Sequence, residues 1–237
     1  MSVFWSEVHE YLPFLLSGAE VTLQLSFISM AGGMILGFLT ATGRLSGSRL
    51  IRWPLEAYVE IWRDTPLIVQ LLLIYFSLPE LGIILPAFWA GALGLTLNLS
   101  AYLSEVYRAA IQAVDEGQKS AAISLGMSPL QIYRRLIIPQ AFVASLPTQG
   151  GYFIALLKDC SLVSFISVNE LLRHATIVIS NTFDSMNTYL MVALIYFIMS
   201  FTSARCVSWL ERKLTPSRHT KGGVANVMPE AVEGITP

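Results

Sequence analysis

The chain has 237 residues, 54% hydrophobic and only 13% charged, and its 15 Lys and Arg against 16 Asp and Glu leave a formal net charge of −1. A soluble domain carries roughly 25% charged residues. With a mean hydropathy of +0.60 this chain would expose large apolar patches to water, so it reads as an integral membrane protein. The charge balance excludes a strongly basic nucleic-acid surface, and two cysteines, Cys160 and Cys206, are too few for a disulfide framework or a metal cluster.

Residues 1–19 contain Glu7 and Glu10 but no Lys or Arg; without a basic start they do not resemble a cleaved signal peptide, and they are expected to form an extracytoplasmic segment. Charge-free stretches then count the crossings, because about 20 helical residues match a hydrocarbon layer of about 30 Å. Residues 21–43, 81–104 and 185–204 are each long enough alone. Gly33 and Gly37 form a G-x-x-x-G in the first, which permits close helix approach. Residues 65–79 span only by borrowing the apolar side of residues 54–64. Residues 136–157 are interrupted by Pro139 and Pro147, so that crossing is expected to start late and extend toward residue 172. Five spans within residues 20–214 result, followed by a tail, 215–237, whose Pro, Gly and small polar residues read as disordered.

Lys and Arg in short loops favour the cytoplasmic side. Arg44, Arg49 and Arg52 follow the first span, Arg108, Lys119, Arg134 and Arg135 surround the long loop, and Arg205, Arg212, Lys213, Arg218 and Lys221 follow the last. The predicted topology is therefore N-terminus out and C-terminus in.

The loop at about residues 112–140 follows helix-hairpin chemistry. Asp115 and Glu116 suit the positive end of a helix dipole, and a helix over about 117–125 ends at Gly126, which supplies a left-handed residue. Ser128, Pro129 and Gln131 then make an S-x-x-Q capping box with proline at the first helical position. The second helix is expected to present Leu130, Tyr133 and Ile137 as one apolar stripe and to stop at Pro139. Such a stripe suits either the bilayer surface or the groove of a soluble partner; the capped hairpin favours the partner.

Ionisable residues within spans cost about 2.5–3.5 kcal/mol each on insertion scales. Arg63 with Asp64 reads either as an interfacial ion pair ahead of Pro66 or as part of a pathway. Lys158 with Asp159 reads as a gate or as charge compensation. Glu105, one turn from Arg108, reads as a helix-end pair, and Asn98 and Ser100 as cavity lining or as hydrogen-bonding glue between helices, glue being favoured. His9, His174 and His219 are too scattered for a metal site, and no catalytic constellation emerges.

Residues 117–126, GQKSAAISLG, continuing through Gln131, Arg134 and residues 138–141, IPQA, resemble the EAA loop of permease subunits from bacterial ABC importers, above all the polar amino-acid branch. Residues 62–70, WRDTPLIVQ, are similar to that branch's R-G-T-P-L-x-V-Q element, with Asp64 at the position where glycine is commoner. Residues 101–111 (Ala101, Tyr102, Glu105, Arg108, Ile111) resemble the segment leading into the loop, and residues 157–164, LKDCSLVS, resemble its L-K-D-T-S-L-V-S element. Ser120 stands where the loop has its usual glutamate.

The resemblance implies an all-α, five-helix core of the type I importer fold with a cytoplasmic coupling hairpin around Gly117, Ser120, Ala121, Ala122, Gly126, Leu130, Tyr133 and Pro139. It implies an inner-membrane subunit that pairs with a second permease subunit, two ATP-binding subunits and a periplasmic solute-binding protein. The solute would be a polar amino acid. Arg63, Asp64, Asn98, Glu105, Lys158 and Asp159 are the candidate pathway or gate residues. No cofactor is expected on this chain: it contains no G-x-x-x-x-G-K-[ST] phosphate loop, so ATP and Mg belong to the partner. An ion-coupled secondary transporter would want internal repeats, and an intramembrane enzyme a nucleophile or metal cluster; the sequence offers neither.

Overall fold

The computed structural model describes residues 2–214, with side chains from residue 9 onward, so the predicted disordered tail lies outside the described residues. It is helical throughout: α1 (Ser2–Arg44), α2 (Arg49–Asp64), α3 (Leu67–Ser77), α4 (Ala87–Gln112), α5 (Glu116–Ser124), α6 (Pro129–Ile132), α7 (Ile138–Asp159), α8 (Leu171–Thr182) and α9 (Ser185–Leu214). Short 3-10 turns, Pro79–Leu81 and Cys160–Ile166, follow α3 and α7.

His9–Arg44 and Ser185–Leu214 are each long and apolar enough to cross a membrane. α4, at 26 residues, is about 39 Å long by the ~1.5 Å rise per residue. It is the central rod: much of its length, from Ala90 to Ile111, is buried, so it can carry Asn98, Ser100 and Ser104 where a lipid-facing helix would not.

α1 lies against α4 through its glycines. A Cβ on Gly33 would come 2.7 Å from Leu99 Cδ2, and one on Gly37 would come 2.9 Å from Leu103 Cβ and 3.0 Å from the Ser100 carbonyl oxygen. The G-x-x-x-G thus lets two backbones approach where lipid supplies no hydrophobic drive for association. α1 passes residue 19 without a break, and its early turns pack Leu15 and Ala19 against Leu171, Ala175 and Val178 of α8 and Met191, Val192 and Ile195 of α9.

Two predicted spans are not straight rods. Arg49–Asp64 and Leu67–Leu81 reach spanning length and apolarity only together, and they meet at 108°. The break is set by Pro66, which disfavours helical backbone at the residue before it; Thr65 is extended at φ −96° and ψ 133°. The second pair, Pro129–Ile166 and Leu171–Thr182, is bent by 52°.

Pro139 does not end the hairpin's second helix. A five-residue π-helical turn, Tyr133–Ile137, precedes α7, and Pro139 sits in the first turn of α7. The Ile138 N–H bonds to the Tyr133 carbonyl, five residues back. This wide turn changes the ladder's register just where proline can donate no hydrogen bond. The helix α7 therefore begins at Ile138 and passes through Pro147 without a break.

Gly37→Val is expected to destabilise the protein by roughly 1–3 kcal/mol through overpacking against α4, whereas Gly47→Ala, which meets nothing within 4 Å, leaves stability unchanged. Thermal unfolding in detergent distinguishes them; equal melting temperatures would contradict the close α1–α4 contact.

Candidate functional site

Beneath the α2–α3 break lies a cavity of about 410 Å³, within the roughly 300–1,000 Å³ of ordinary small-ligand sites. Arg63 and Asp64 from the end of α2, Asn98 and Tyr102 from α4, and Tyr152 and Asp159 from α7 line it, with leucines filling much of the rest. Four candidate pathway residues from three separate segments, Arg63 with Asp64, Asn98 and Asp159, are thus brought to one place. The Arg63 guanidinium lies 5.5 Å above the Tyr102 ring, and the Tyr102 hydroxyl donates to the Arg63 carbonyl at 3.3 Å. Tyr102 and Tyr152 sit with ring centres 5.8 Å apart.

The break is held open by amides. Gln70, in the first turn of α3 and 5% exposed, donates to the carbonyls of Trp62 at 2.8 Å and Thr65 at 2.9 Å. Asn98 donates to the Trp62 carbonyl at 3.1 Å and to Gln70 Oε1 at 3.0 Å. These bonds take up carbonyls that a continuous helix would have used. Asn98 therefore both lines the cavity and ties α4 to α2, while Ser100 serves as interhelical glue through the Tyr58 hydroxyl. Sequence reasoning passed over Gln70; its signal was a single amide in an otherwise apolar run just after proline.

Glu105 and Lys158 do not line the cavity. Glu105 pairs with Arg108 at 2.7 Å, as its spacing suggests, and also with Arg44 at the end of α1 at 2.6 Å. Arg44 donates to Ser104 as well, at 3.3 Å, so the cluster binds α1 to α4.

A second unforeseen group is Glu170, fully buried. It caps α8 by accepting from the N–H groups of Leu172 at 2.9 Å and Arg173 at 2.8 Å, and it accepts from the Tyr196 hydroxyl at 3.0 Å. A carboxylate at a helix start is stabilised by that helix's dipole, and here it also joins α8 to α9.

The loop hairpin follows from its caps. Asp115 accepts from the Gln118 N–H at 3.1 Å. Gly126 adopts φ +74°, and the bonds from Gly126 N–H to the Ile123 carbonyl and from Met127 N–H to the Ala122 carbonyl close the first helix. Both bonds of the Ser128–Gln131 capping box are present. The inner face, Ala122, Ile132 and Ile137, is buried with Ile111 at the end of α4, Val114 just beyond it and Ala141 from α7. The outer face leaves Ile123, Leu125 (81% exposed), Leu130 (76%) and Tyr133 exposed.

The expected single stripe is corrected in one member: Ile137 is 3% exposed and packs inward, because the π turn rotates it away from Leu130 and Tyr133. Gly117, Ser120 and Ala121 are exposed on α5 while Ala122 is not, so only part of the small-residue run is open to a partner.

With this geometry in hand, relatives identify the chain's class. Residues 33–216 match the model of the binding-protein-dependent transport system inner membrane component family. A probable amino-acid ABC transporter permease of Sinorhizobium fredii is 41% identical over 196 residues, covering 83% of this chain and 85% of the relative. The arginine transport system permease protein ArtQ of Bacillus subtilis is 34% identical over 90% of this chain and 98% of its own. A crystal structure of an amino acid ABC transporter with histidines superposes with a TM-score of 0.83 at 42% identity, over 89% of this chain and 98% of that one.

The fold is that of a type I importer permease. The chain belongs to the binding-protein-dependent transport system inner membrane components: it is a membrane transport subunit that works with other components of an ABC system.

Gln70→Leu should strand the Thr65 carbonyl, at a cost of roughly 1–3 kcal/mol, while the Trp62 carbonyl keeps its bond from Asn98. Combined with Asn98→Leu, which removes the Trp62 carbonyl's other donor, the losses should depart from additivity, because only the double variant strands that carbonyl. A double-mutant cycle of thermal unfolding reads this, and simple additivity would show that the two amides act independently.

Proposed function

We propose that the chain is the transmembrane permease of an ATP-driven importer that carries a polar amino acid, or an amino-acid-like solute, from periplasm to cytoplasm. It lies in the inner membrane with its N-terminus outside and its C-terminus inside. It pairs with a second permease subunit, and a periplasmic binding protein delivers the solute. Two ATPase subunits, which hold ATP and Mg, dock on the hairpins.

One observation carries the reading: a rigidly capped hairpin whose inner face is packed onto α4 and α7 and whose outer face leaves Leu125, Leu130 and Tyr133 bare. Exposed apolar side chains on so well-capped a unit fit a helix-in-groove partner. The names borne by relatives, amino-acid and arginine permeases among them, support the solute class.

Orientation is supported by geometry as well as by charge. The ends of α1 and α4 meet through Arg44 and Glu105, and Leu45 packs with the hairpin. Arg44 and Arg108, two of the basic residues that favour the cytoplasmic side, thus lie at the hairpin's end of α1 and α4. The cavity between α2, α4 and α7 sits along the route, and closure of the ATPase pair would rock the permease halves and alternate its access. A solute shifts that equilibrium only by its differential affinity for the two states.

Leu130→Asp places a charge on the docking face, where burying it without a partner is costly; the ATPase is expected to be lost on co-purification while the permease still inserts. Gly126→Val forces a β-branched residue to φ +74° and should uncouple ATP hydrolysis from uptake. An altered permease that holds its ATPase and transports normally would overturn the coupling role.

A further inference from the structure

The most apolar stretch of α9 is only 17% buried, against 39% for that of α1. α9 packs against α7, α8 and α1, and its outward face carries one unbroken stripe. Leu194, Ile198 and Phe201 are exposed there, and steps of three or four residues continue the stripe through Arg205, Trp209 and Arg212, all exposed as well. That spacing keeps all six on one side of the helix. Val207 and Glu211 fall on the opposite side, where Val207 fills the place that a side chain on Gly150 of α7 would need.

The change from apolar to cationic falls at the hairpin's end of the bundle. Next to Gly150, Gln149 accepts from the Tyr107 hydroxyl at 3.0 Å. Tyr107 is two residues past Glu105, the partner of Arg44 at the end of α1. Val207 is therefore close to the level at which α1 stops, and Arg205 stands at the edge of the hydrocarbon with Trp209, Arg212 and Lys213 beyond it. From Arg205 to Lys213 is about 12 Å at ~1.5 Å per residue, enough to cross a headgroup layer of roughly 5–8 Å.

Among the described residues no ion pair engages Arg205, Arg212 or Lys213. The Arg205 guanidinium lies 5.1 Å from the Phe201 ring centre and the Lys213 ammonium 5.0 Å from that of Trp209. A ring face attracts a cation without neutralising it. We infer that this end of α9 holds the phosphate of an anionic phospholipid, with Arg205 and Arg212 as its principal ligands and the acyl chains lying along Leu194, Ile198 and Phe201. The continuity of the stripe selects a lipid, because one molecule must offer hydrocarbon to the first half and negative charge to the second. A second copy of the chain fits poorly: a two-fold interface sets the same patch against itself, and cations would face cations.

The probe is a fluorophore on Cys206, which is exposed beside Arg205 while Cys160 is buried. The full chain, in the complex with which it purifies, is placed in phosphatidylcholine nanodiscs. Quenching by a small fraction of phosphatidylglycerol with a nitroxide high on its acyl chain is compared with quenching by phosphatidylcholine labelled in the same way. The expected result is a local enrichment of the anionic lipid of roughly fivefold or more. It should fall to near unity in Arg205→Gln combined with Arg212→Gln. Arg49→Gln combined with Arg52→Gln, at the exposed start of α2, should leave it unchanged. These exposed side chains hold no ion pair to the rest of the bundle, so the variants should elute as intact complexes.

Equal quenching by the two lipids in the unaltered complex, or a preference that survives the loss of Arg205 and Arg212, would overturn the site. Quenching by neither lipid would overturn it too, by showing that protein covers this face.

Discussion

A membrane interior offers no water to a broken helix, so every carbonyl released by a break must find its donor inside the protein, at a cost of several kcal/mol for each failure. The structure is organised around that requirement at Thr65 and Pro66. Proline makes the bend, and Gln70 and Asn98 take up the carbonyls that the bend leaves behind. Because Asn98 belongs to the central helix α4, the same bonds that satisfy the backbone fix the end of α2 against the core. Arg63 and Asp64 are carried to the cavity as a result.

The second bent crossing meets the same demand with an acid. Between the 3-10 turn Cys160–Ile166 and α8 the backbone passes through Ser167 at φ +64°, and α8 must start afresh inside the protein. Glu170 accepts from two of its first N–H groups. The Leu171 N–H donates to Thr22 of α1 at 3.3 Å. Burying a carboxylate is tolerable here because the helix dipole and the Tyr196 hydroxyl offset its charge. At both breaks backbone groups freed by the bend find partners within the protein, the condition under which irregular backbone survives at membrane depth.

Local chemistry was legible in the sequence wherever one side chain dictates one backbone state. Gly126, the Ser128–Gln131 box and Asp115 all act through nearest neighbours, and their conformations follow from residue type. The family, and with it the fold, was legible from co-ordered motifs. Less legible was anything decided between distant segments: Gln70 and Glu170 gain their meaning from carbonyls and helix starts that exist only once the chain is folded. Arg44 finds Glu105 across 61 positions, with no periodicity to announce it. Pro139 misled because a proline ordinarily ends a helix, and a π turn that absorbs it has no sequence signature.

α4 links the two ends of the proposed mechanism. Asn98 and Tyr102 face the cavity, Glu105 and Arg108 hold the end of α1, and Ile111 packs against the hairpin, all on one unbroken helix. From Asn98 to Ile111 is about 20 Å at ~1.5 Å per residue. A helix buried over most of its length and free of interior proline bends little, so displacement of the hairpin would reach the cavity as rigid-body motion. The bent α2–α3 unit is fastened to α4 by hydrogen bonds at its break, so the part of the cavity carrying Arg63 and Asp64 would follow α4. The wall carrying Asp159 would follow α7, which also meets the hairpin through Ala141. Opening and closing would then come from relative movement of two rods that share one handle, which requires the hairpin to stay stiff. The double-bonded cap at Gly126 and the reciprocal box at Ser128 supply that stiffness.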